Sequence, residues 1–473
     1  MSRILELRVP FLLGEQLQEH IYRQGTHEYV VFGLVSHTTR RGSTLLLLRD
    51  LVPLRESDYI PNAEHGASWR GSAMFPLMET AMERDLGIVI FHAHDHLGLP
   101  GLSRDDLQSA DKLIPMFRKR VPARPHGTVV VSRTHASGLV WLPGTRKPQP
   151  LNQVRWFGSS LVDFECLPQS TSVTRPVSEQ YARQALLLGA DGQTLLRNAK
   201  VAVVGAGGGG SHVIQQLTYA GVGQIIVIDP DVYQDSNRHR LVSAVQTDLG
   251  HPKVDIFHRL AKKIGLGSRV RRVRARIPDL EAVEALRDAD VIVGCVDTLF
   301  ARSDLQELAS RYLIPYVDIG ATIRPVAEAT ASDPRVVVAG NVFTFVPGSF
   351  CLWCTRFLTK EKLEAKQNGP TRGYFEKNRQ EAQVVSFNGL IASQAVTEVL
   401  QLLTGFRGAG LRQTDLQLSG TSTFRGYKKF DGVTGSLNEW GGVRRPDCPH
   451  CHSVLGAGDV IFTQFSLDQT TAA

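Results

Sequence analysis

The stretch VAVVGAGGGGSHVIQQLTYAGVG, from Val201 to Gly223, decides the fold of this chain. A short run rich in β-branched residues leads into glycines, and a helical pattern follows them. Such a turn lets backbone N–H groups approach a phosphate while the positive end of the next helix points at it. The same pattern is also typical of a nicotinamide-binding loop or of close helix packing. The G-x-G-G-x-G spacing is formed by Gly205, Gly207, Gly208 and Gly210.

The residues after this turn favour ATP over a nicotinamide cofactor. The next strand, QIIVIDPD, completes a β-α-β unit and ends in two acids that suit a ribose in either case. An Arg and a Lys follow, and two cations suit attack on the α-phosphate of ATP, since pyrophosphate leaves with negative charge. An Asp at the end of a later strand is placed to hold Mg²⁺. These side chains are Asp229, Asp231, Asn237, Arg240, Lys253 and Asp297.

Four motifs, GAGGGGS, DPDVYQDSNRHR, LGHPK and CVDT, resemble the ThiF-like family of ubiquitin-activating-enzyme adenylation domains. The likeness covers most of residues 178–473 and predicts a Rossmann-like, doubly wound domain. That family adenylates the C-terminal glycine of a ubiquitin-like or sulfur-carrier protein. The resemblance implies that Asp229 binds the ribose, that Arg240 and Lys253 bind the phosphates, and that Asp297 holds the magnesium.

Two further expectations come from the same family. Arg183, in the motif YARQ, matches an arginine that reaches the partner's ATP across a homodimer interface. Full ubiquitin-activating enzymes pass the adenylate to a cysteine, but the charged segment after the first CxxC holds none. Cys166 and Cys295 are poor substitutes, in the linker region and in a buried strand. We therefore expect activation to stop at the acyl-adenylate, with a sulfur-donor or conjugating-enzyme-like protein as the acceptor.

Two CxxC pairs, about ninety residues apart, predict a closed tetrahedral zinc site that ties the C-terminal segment back onto this domain. Six cysteines in so long a chain do not form a disulfide scaffold, and CxxC pairs in a reducing compartment favour metal. The neighbouring His450 and His452 are interpreted as surface residues. The four predicted ligands are Cys351, Cys354, Cys448 and Cys451.

The run FHAHDHLGLPGLSRDDLQSA suggests a second metal site, in the first third of the chain. His92, His94 and His96 alternate, which in a strand places them on one face. Ser103 opens a helical pattern, with Asp106 three residues later as in a capping box. Imidazoles on a strand and a carboxylate at the next helix form a three-ligand zinc site with an open position for water.

This run resembles the JAMM (JAB/MPN) metalloproteases, which cleave isopeptide bonds or trim ubiquitin-like proteins. The resemblance implies that Glu28, in the strand-like stretch EYVVFGLVSH from Glu28 to His37, is the general base and that Ser103 helps to hold the oxyanion. The family has seven residues between its second His and the Ser, whereas this chain offers eight or six. His94 is therefore a ligand in either register, and the choice between His92 and His96 stays open. A non-catalytic domain stays open as well.

The predicted organisation is a JAB/MPN-like mixed α/β metallopeptidase domain at 1–160, a linker at 161–177 and the ThiF-like adenylation domain at 178–473. Hydrophobic content of 42% and charged content of 21% are ordinary for a globular protein. The net charge of +7 is spread along the chain, which gives no indication of nucleic-acid binding. No signal peptide or membrane span is evident, so we expect a cytoplasmic protein.

The sequence thus predicts ATP-dependent activation of a ubiquitin-like C-terminus, with a fused zinc isopeptidase that processes or removes the same protein. One alternative is an adenylyltransferase of a sulfur-carrier pathway whose JAB domain is not catalytic. Two other classes are a nicotinamide-dependent dehydrogenase and a non-enzymatic adaptor that binds ubiquitin-like tails.

Overall fold

The computed structural model describes residues 4–23, 25, 28–40, 42–60, 67–158, 161–166, 177–325, 336–368, 382–407, 426–448 and 450–459. Three predicted segments fall wholly or mostly elsewhere, namely the linker, the charged segment before residue 382 and most of DLQLSGTSTFRGYKKF, at 415–430, whose pattern predicts the final strands. They lie outside the described residues. No helix among the described residues is long and apolar enough to cross a membrane.

The strands in the described residues form two sheets. They are β1 Ile4–Val9, β2 Val31–Arg40, β3 Ser43–Pro53, β4 Gly87–Ala93, β5 His126–Val131, β6 Ala136–Trp141, β7 Gln149–Pro150, β8 Gln153–Phe157, β9 Leu161–Glu165, β10 Lys200–Val204, β11 Gln224–Ile228, β12 Arg269–Val273, β13 Val291–Gly294, β14 Tyr316–Pro325, β15 Val336–Phe345, β16 Tyr427–Asp431 and β17 Leu437–Trp440.

The α-helices pack on and between these sheets. They are α1 Phe11–Ile21, α2 Met74–Glu83, α3 Arg104–Arg120, α4 Ala182–Asn198, α5 Gly208–Ala220, α6 Lys253–Ile264, α7 Leu280–Leu286, α8 Leu299–Arg311, α9 Lys360–Asn368 and α10 Val385–Thr404.

The second sheet has the doubly wound topology expected from the glycine motif. Its order is β12-β11-β10-β13-β14-β15-β16-β17, and the strands from β12 to β14 are parallel. Renumbered along the chain, the parallel part reads 3-2-1-4-5, the arrangement that opens a crevice beside its first strand. The crevice lies where the chain reverses direction, between β10 and β13. The glycine turn follows β10 and therefore lies at its mouth.

The stretch SFNGLIASQAVTEVLQLLTG, at 386–405, has an apolar pattern that predicts a long helix, and it forms most of α10, which packs on α5 and on β14. It ends at Gly405, in the left-handed conformation that glycine adopts without strain. Because α10 lies beside α5, its amino-terminal turn also reaches the glycine loop.

The first sheet is mixed, with the order β7-β6-β5-β4-β2-β3-β1-β8-β9. Side chains alternate between its faces, so Phe91 packs with α1 and the β-rich core while Ile90 packs with α2 and α3. The strand β9 pairs antiparallel with β8. The first sheet therefore continues to Glu165, and the linker expected to begin at 161 begins later. β9, at 161–165, therefore lies among the residues that the sequence assigns to the linker, and it forms one edge of the first sheet.

The two sheets share one buried core rather than meeting through a flexible hinge. Phe11, Leu45, Leu47 and Phe157 belong to the hydrophobic cluster of the second sheet. The amide of Phe11 donates to the carbonyl of Pro347 at 2.7 Å. The junction is thus packed like a domain interior.

Two buried arginines of the first sheet also bond across the junction. Arg8 donates to the carbonyls of Tyr312 and Leu313 at 2.8 and 3.3 Å. Arg155 pairs with Asp290 at 2.7 Å. Glu6 of β1 also pairs with both guanidinium groups, at 2.8 Å from Arg8 and 3.8 Å from Arg155, so the bonds across the junction add to a charge pair within the first sheet.

The segment 450–459 runs between the two domains. On one side, Gly456 N–H donates to the carbonyl of Ser310 on α8 at 2.9 Å. On the other side, Arg49 of β3 donates to the carbonyl of Ser453 at 3.0 Å, and the Ser36 hydroxyl of β2 bonds the carbonyl of Gly456. We call residues 450–459 the junction segment.

Candidate nucleotide site and metal centres

The glycine turn has the close packing that its motif predicts. Gly205 has φ +90°, and a Cβ there would lie 2.6 Å from the carbonyl oxygen of Cys295. A Cβ on Gly210 would lie 1.9 Å from the carbonyl oxygen of Gly205. Only glycine fits either position. The turn, the start of α5 and the end of β13 are consequently held against one another.

Asp229, predicted to bind ribose, braces this turn from the end of β11. Its Oδ2 accepts the Ala206 N–H at 2.7 Å, and its Oδ1 accepts the Asp231 N–H at 2.8 Å. Burial raises the pKa of Asp229, although Lys253 and these two amides oppose the shift. The carboxylate therefore has a structural task at the nucleotide crevice, whether or not it also contacts a ribose.

Lys253 lies on the ribose side of the crevice rather than over the turn. It begins α6, and its Nζ is 2.8 Å from Oδ2 of Asp231 and 3.7 Å from Oδ1 of Asp229. The side chain is buried against these two acids. To reach a phosphate, as the sequence predicts, the ammonium would have to leave Asp231, which is itself exposed.

Arg240 lies on the glycine turn, as expected for a phosphate ligand. Its Cδ is 3.5 Å from the position of a Cβ on Gly208. Asn237 prepares this placement, because its Oδ1 accepts the Gln234 N–H at 3.1 Å and its carbonyl accepts the Arg240 N–H at 3.1 Å. In the described contacts Asn237 shapes the loop that carries Arg240.

Asp297 follows β13 and is exposed at the carboxyl edge of the sheet. The N–H of Cys295 donates to the carbonyl of Val204 at 2.8 Å, so the two strand ends are joined just below the turn. Asp297 is thereby placed on the same edge as the glycine turn, as a magnesium ligand requires.

Sequence reasoning missed the buried pair that supports this edge. Arg302 of α8 forms an ion pair with Asp318 of β14, and it donates to the carbonyls of Val296 and Ile319, each at 2.9 Å. Tyr316 donates its hydroxyl to Asp318 at 2.6 Å. A single Arg in an amphipathic helix has the pattern of a solvent-exposed charge. Only its position five residues after Asp297 indicates that it could lie near the site.

The four predicted cysteine ligands converge as expected. The Sγ–Sγ distances are 3.7 Å for Cys351–Cys354, 3.6 Å for Cys351–Cys448 and 3.5 Å for Cys354–Cys451. A tetrahedral ion with Zn–S bonds of about 2.3 Å places its ligands about 3.8 Å apart. All four thiols are buried. The arrangement fits one tetrahedral metal ion and is too wide for disulfides.

His450, interpreted as a surface residue, is instead buried. Its ring stacks on Trp353 with centroids 4.9 Å apart. Burial beside Arg311 lowers the pKa of His450 to about 4, so the ring is neutral. It packs the cysteine cluster against the domain, whereas His452 is exposed as expected.

The histidine run forms a second cluster of potential ligands, from His92, His94 and Asp106. Nε2 of His92 is 3.1 Å from Oδ1 of Asp106, and Nε2 of His94 is 3.9 Å from Oδ2. Nε2 of His92 is buried and has no partner with hydrogen-bond geometry among the described residues. Burial disfavours the charged form of Asp106, but His92 and Ser103 outweigh it and lower the pKa to about 2. The donor set suits one divalent ion.

The other residues predicted for this site lie around the cluster. His96 is exposed, with its Nδ1 2.9 Å from the carbonyl of Leu97, and it does not join the three ligands. The hydroxyl of Ser103 accepts the Asp106 N–H at 3.1 Å, which completes the expected capping box. Glu28 is exposed and precedes β2 by three residues, near enough to His94 to influence its charge.

The remaining predicted positions are also defined. Arg183 is exposed in the first turn of α4. Cys166 is buried at the end of the first sheet, and burial raises the pKa of the Cys295 thiol. Cys295 is half-buried just after the end of β13, whereas the sequence predicts it to be buried within the strand.

The chain is similar to several known adenylyltransferases and activating enzymes. A molybdopterin-synthase adenylyltransferase from Escherichia coli is 26% identical to this chain, over 58% of this chain and 95% of its own length. The SAMP-activating enzyme E1 of Haloferax volcanii is 32% identical, over 33% of this chain and 58% of its own length. A sulfur carrier protein adenylyltransferase from Thermus thermophilus is 36% identical, over 27% of this chain and 48% of its own length. A crystal structure of E. coli MccB with MccA-N7isoASN has a TM-score of 0.46 at 21% identity, over 58% of this chain and 75% of that one.

The model of the ThiF family matches residues 181–449, which is more than half of the chain. The match includes the glycine turn, the cation-bearing loops, Asp297, the first CxxC pair and Cys448 of the second. It begins after the first sheet, so it carries no information about the histidine cluster. The chain belongs to the ThiF family.

Proposed function

We propose that the second domain adenylates the C-terminal carboxylate of a small sulfur-carrier or ubiquitin-like protein, using ATP. The observation that carries the proposal is the convergence of Arg240, Asp297 and the Gly205–Gly210 turn at one edge of a ThiF-family sheet. A dehydrogenase needs no arginine on its phosphate turn, and an adaptor needs no nucleotide crevice.

A carboxylate is a poor electrophile, and joining it to AMP gives it a good leaving group. A carboxylate oxygen attacks the α-phosphorus, the bond from that phosphorus to the bridging oxygen breaks, and pyrophosphate leaves with the negative charge. The turn amides, the amino end of α5 and Arg240 neutralise that charge, which is where most of the rate gain arises. Asp297 would hold the magnesium ion that accompanies the nucleotide. The crevice otherwise works by orientation.

Sulfur-carrier activation is the better account of the substrate than a modifier that the same chain also processes. Two of the three relatives carry names from sulfur-carrier or molybdopterin biosynthesis. None of the matched residues lies in the first sheet. The burial of Cys166 and the raised pKa of the half-buried Cys295 thiol further support release of the adenylate to another protein that supplies the thiol.

A homodimer is part of this proposal, because Arg183 needs a partner's nucleotide to act on. Leu186 and Leu187 are 88% and 64% exposed. They lie three and four residues after Arg183, on the same face of α4. An exposed apolar face beside the expected trans-acting arginine supports pairing through this helix.

Exchange of labelled pyrophosphate into ATP tests the adenylation, with a small protein ending in Gly-Gly as the substrate. We expect exchange to require that protein and to fall about a hundredfold in Lys253→Ala, the scale of losing one charge-stabilising group. Lys262→Ala, on the exposed face of the same helix, is the matched control and should keep full exchange. Binding of NAD without exchange would replace the proposal with a dehydrogenase. Tail binding that is independent of ATP and is unchanged in Lys253→Ala and Asp297→Ala would replace it with an adaptor.

A second function is favoured by the His92–His94–Asp106 cluster alone. We propose that these residues hold a zinc ion, which would supply an acidic water for hydrolysis of a peptide or isopeptide bond. Glu28 would take the proton of that water, and Ser103 orients Asp106 through the capping box. His96 stays outside the ligand set.

The zinc test uses the full chain, since the two domains share a core. Metal analysis should give two zinc ions per chain, and one in Asp106→Asn, with Asp105→Asn as the exposed control next to it. Retention of two ions in Asp106→Asn would remove the histidine site. Cleavage of a ubiquitin-like fusion that Glu28→Gln abolishes without metal loss would establish the peptidase. Zinc without any cleavage would leave a non-catalytic metal domain.

A further inference from the structure

One buried amide lies directly on the phosphate turn and has no role so far. A Cβ on Gly208 would be 2.4 Å from Nδ2 of Asn388 and 3.5 Å from Cδ of Arg240. Asn388 is 5% exposed. The end of the Asn388 side chain thus occupies the space that a Cβ on Gly208 would take. Asn388 and Arg240 flank the same residue of the turn.

The placement follows from the way α10 lies beside α5. Asn388 meets Gly208, the space beside Gly389 is filled by His212, and Gln216 donates to the Ser393 hydroxyl at 3.0 Å. Contacts that advance together along both helices show that α5 and α10 run parallel. Their amino ends therefore face the same crevice.

Asn388 is not explained as a helix cap. Val384 is the N-cap of α10, and it makes no side-chain capping bond. Asn388 is four residues further on, inside the helix, where an apolar residue would pack better against α5. Its Nδ2 donates to Oε1 of Gln383 at 3.1 Å. An amide carries two N–H donors, so this bond fixes the side chain and leaves a second donor at the turn.

The neighbourhood favours an anion as the partner of that donor. Turn amides, the amino ends of two parallel helices and a guanidinium all surround Gly208. Arg240 contributes positive charge, whereas the neutral, fixed amide of Asn388 contributes a hydrogen bond of defined direction. A carboxamide suits a phosphoryl oxygen because it neutralises nothing and does not compete with the magnesium ion.

We propose that Asn388 donates a hydrogen bond to the triphosphate of ATP bound on the Gly205–Gly210 turn, and so positions the departing pyrophosphate. The inference rests on the proposed ATP-dependent function and adds a specific ligand to it. It assigns no role to Asn388 in binding the adenine or the ribose.

Nucleotide titration of the full chain tests this, with Mg-ATP and adenosine as the two probes. Asn388→Asp keeps the shape of the side chain and places a carboxylate against the phosphates. Loss of a hydrogen bond to a charged group weakens binding by roughly tenfold or more. We expect Mg-ATP to bind at least tenfold more weakly to Asn388→Asp and to Asn388→Ala, with adenosine affinity changed less than twofold.

Asn438→Asp is the matched control, because it makes the same isosteric charge change on exposed β17. That strand is five positions from β10 in the sheet, or roughly 24 Å at the usual spacing. Its ATP affinity should equal that of the wild type. Melting curves of each variant accompany the titrations, and Asn388→Ser replaces the alanine variant if that one does not fold.

The results separate this inference from the function beneath it. Equal loss of ATP and adenosine affinity in Asn388→Asp would make the residue structural and overturn the inference. Unchanged ATP affinity would overturn it too. If the wild type binds ATP but exchanges no pyrophosphate with any Gly-Gly protein, the adenylation proposal fails, while the contrast between the two probes still decides the role of Asn388.

Discussion

Replacing Arg302 with methionine should destabilise the chain, and by more at high pH than at low pH. The guanidinium is 9% exposed and its partner Asp318 is 3% exposed. Methionine keeps the packing volume but leaves the carboxylate with only the Tyr316 hydroxyl at 2.6 Å. It also leaves the carbonyls of Val296 and Ile319 without a donor.

The size of the effect follows from the burial of the pair. Removing one member of a buried ion pair costs about 3–5 kcal/mol, because the other charge is left uncompensated. With about 2.1 cal/mol/K per residue, unfolding all 473 residues as one unit has an entropy of roughly 1 kcal/mol/K. The melting temperature should therefore fall by about 3–5 °C near neutral pH.

The pH dependence has a definite sign. Burial raises the pKa of Asp318, and Arg302 and Tyr316 oppose this only in part. Since the folded-state pKa exceeds the unfolded one, the folded state binds more protons, and stability falls as pH rises from the unfolded pKa through the folded pKa. Loss of Arg302 raises the folded-state pKa further. The deficit of the variant should thus shrink toward acid pH, where Asp318 is protonated.

Calorimetric or fluorescence melts at pH 5 and pH 8 measure this difference. Arg271→Met is the matched control, because the Arg271–Asp288 pair is 38% and 41% exposed and should contribute less than about 1 kcal/mol. If Arg302→Met melts together with the control, or if its deficit is the same at both pH values, the buried pair is not the source of stability argued above. Either result would also contradict the role of this pair in supporting the edge of the sheet that carries Asp297.

Three further outcomes are expected. Cys351→Ser should lose one zinc ion and lower the melting temperature by more than 5 °C, whereas the control Cys166→Ser should keep the metal. Plasma emission measures the zinc content, and equal content in the two variants would contradict the tetrahedral site. Leu186→Asp should convert a dimer to a monomer in analytical ultracentrifugation and cut pyrophosphate exchange at least tenfold, while a dimer that persists would place the interface elsewhere. Arg183→Ala should reduce pyrophosphate exchange by about a hundredfold without dissociating the dimer. Mixing this variant with Lys253→Ala should restore part of the exchange, because one of the two sites in a mixed dimer combines an intact Arg183 with an intact Lys253.

The sequence identified those features whose chemistry is local in the chain. The glycine turn, the capping box of Ser103 and the two CxxC pairs each keep their residues within a few positions, so spacing alone carries their geometry. The Rossmann order followed as well, since β-α-β crossovers allow few topologies.

Features that depend on distant contacts were missed or misplaced. The strand β9 was included in the predicted linker, because its five residues stand next to a polar, proline-containing stretch and its pairing with β8 is not visible in composition. His450 was taken as exposed because its burial comes from Trp353, ninety-seven residues away in the sequence. Arg302 and Asp318 are each ordinary in sequence, and only the fold makes them a pair. The ligand choice between His92 and His96 likewise needed the position of α3.

The junction segment and the shared core have a consequence for how this protein can be handled and how it can have evolved. Separate production of either half would uncover Phe11, Leu47 and Phe157 and strand Arg8 without its acceptor carbonyls, so each piece should aggregate. Gene shuffling could not have exchanged one half for an unrelated module without rebuilding both surfaces together. Mutations in the histidine cluster and mutations in the nucleotide crevice therefore change the stability of the same folding unit.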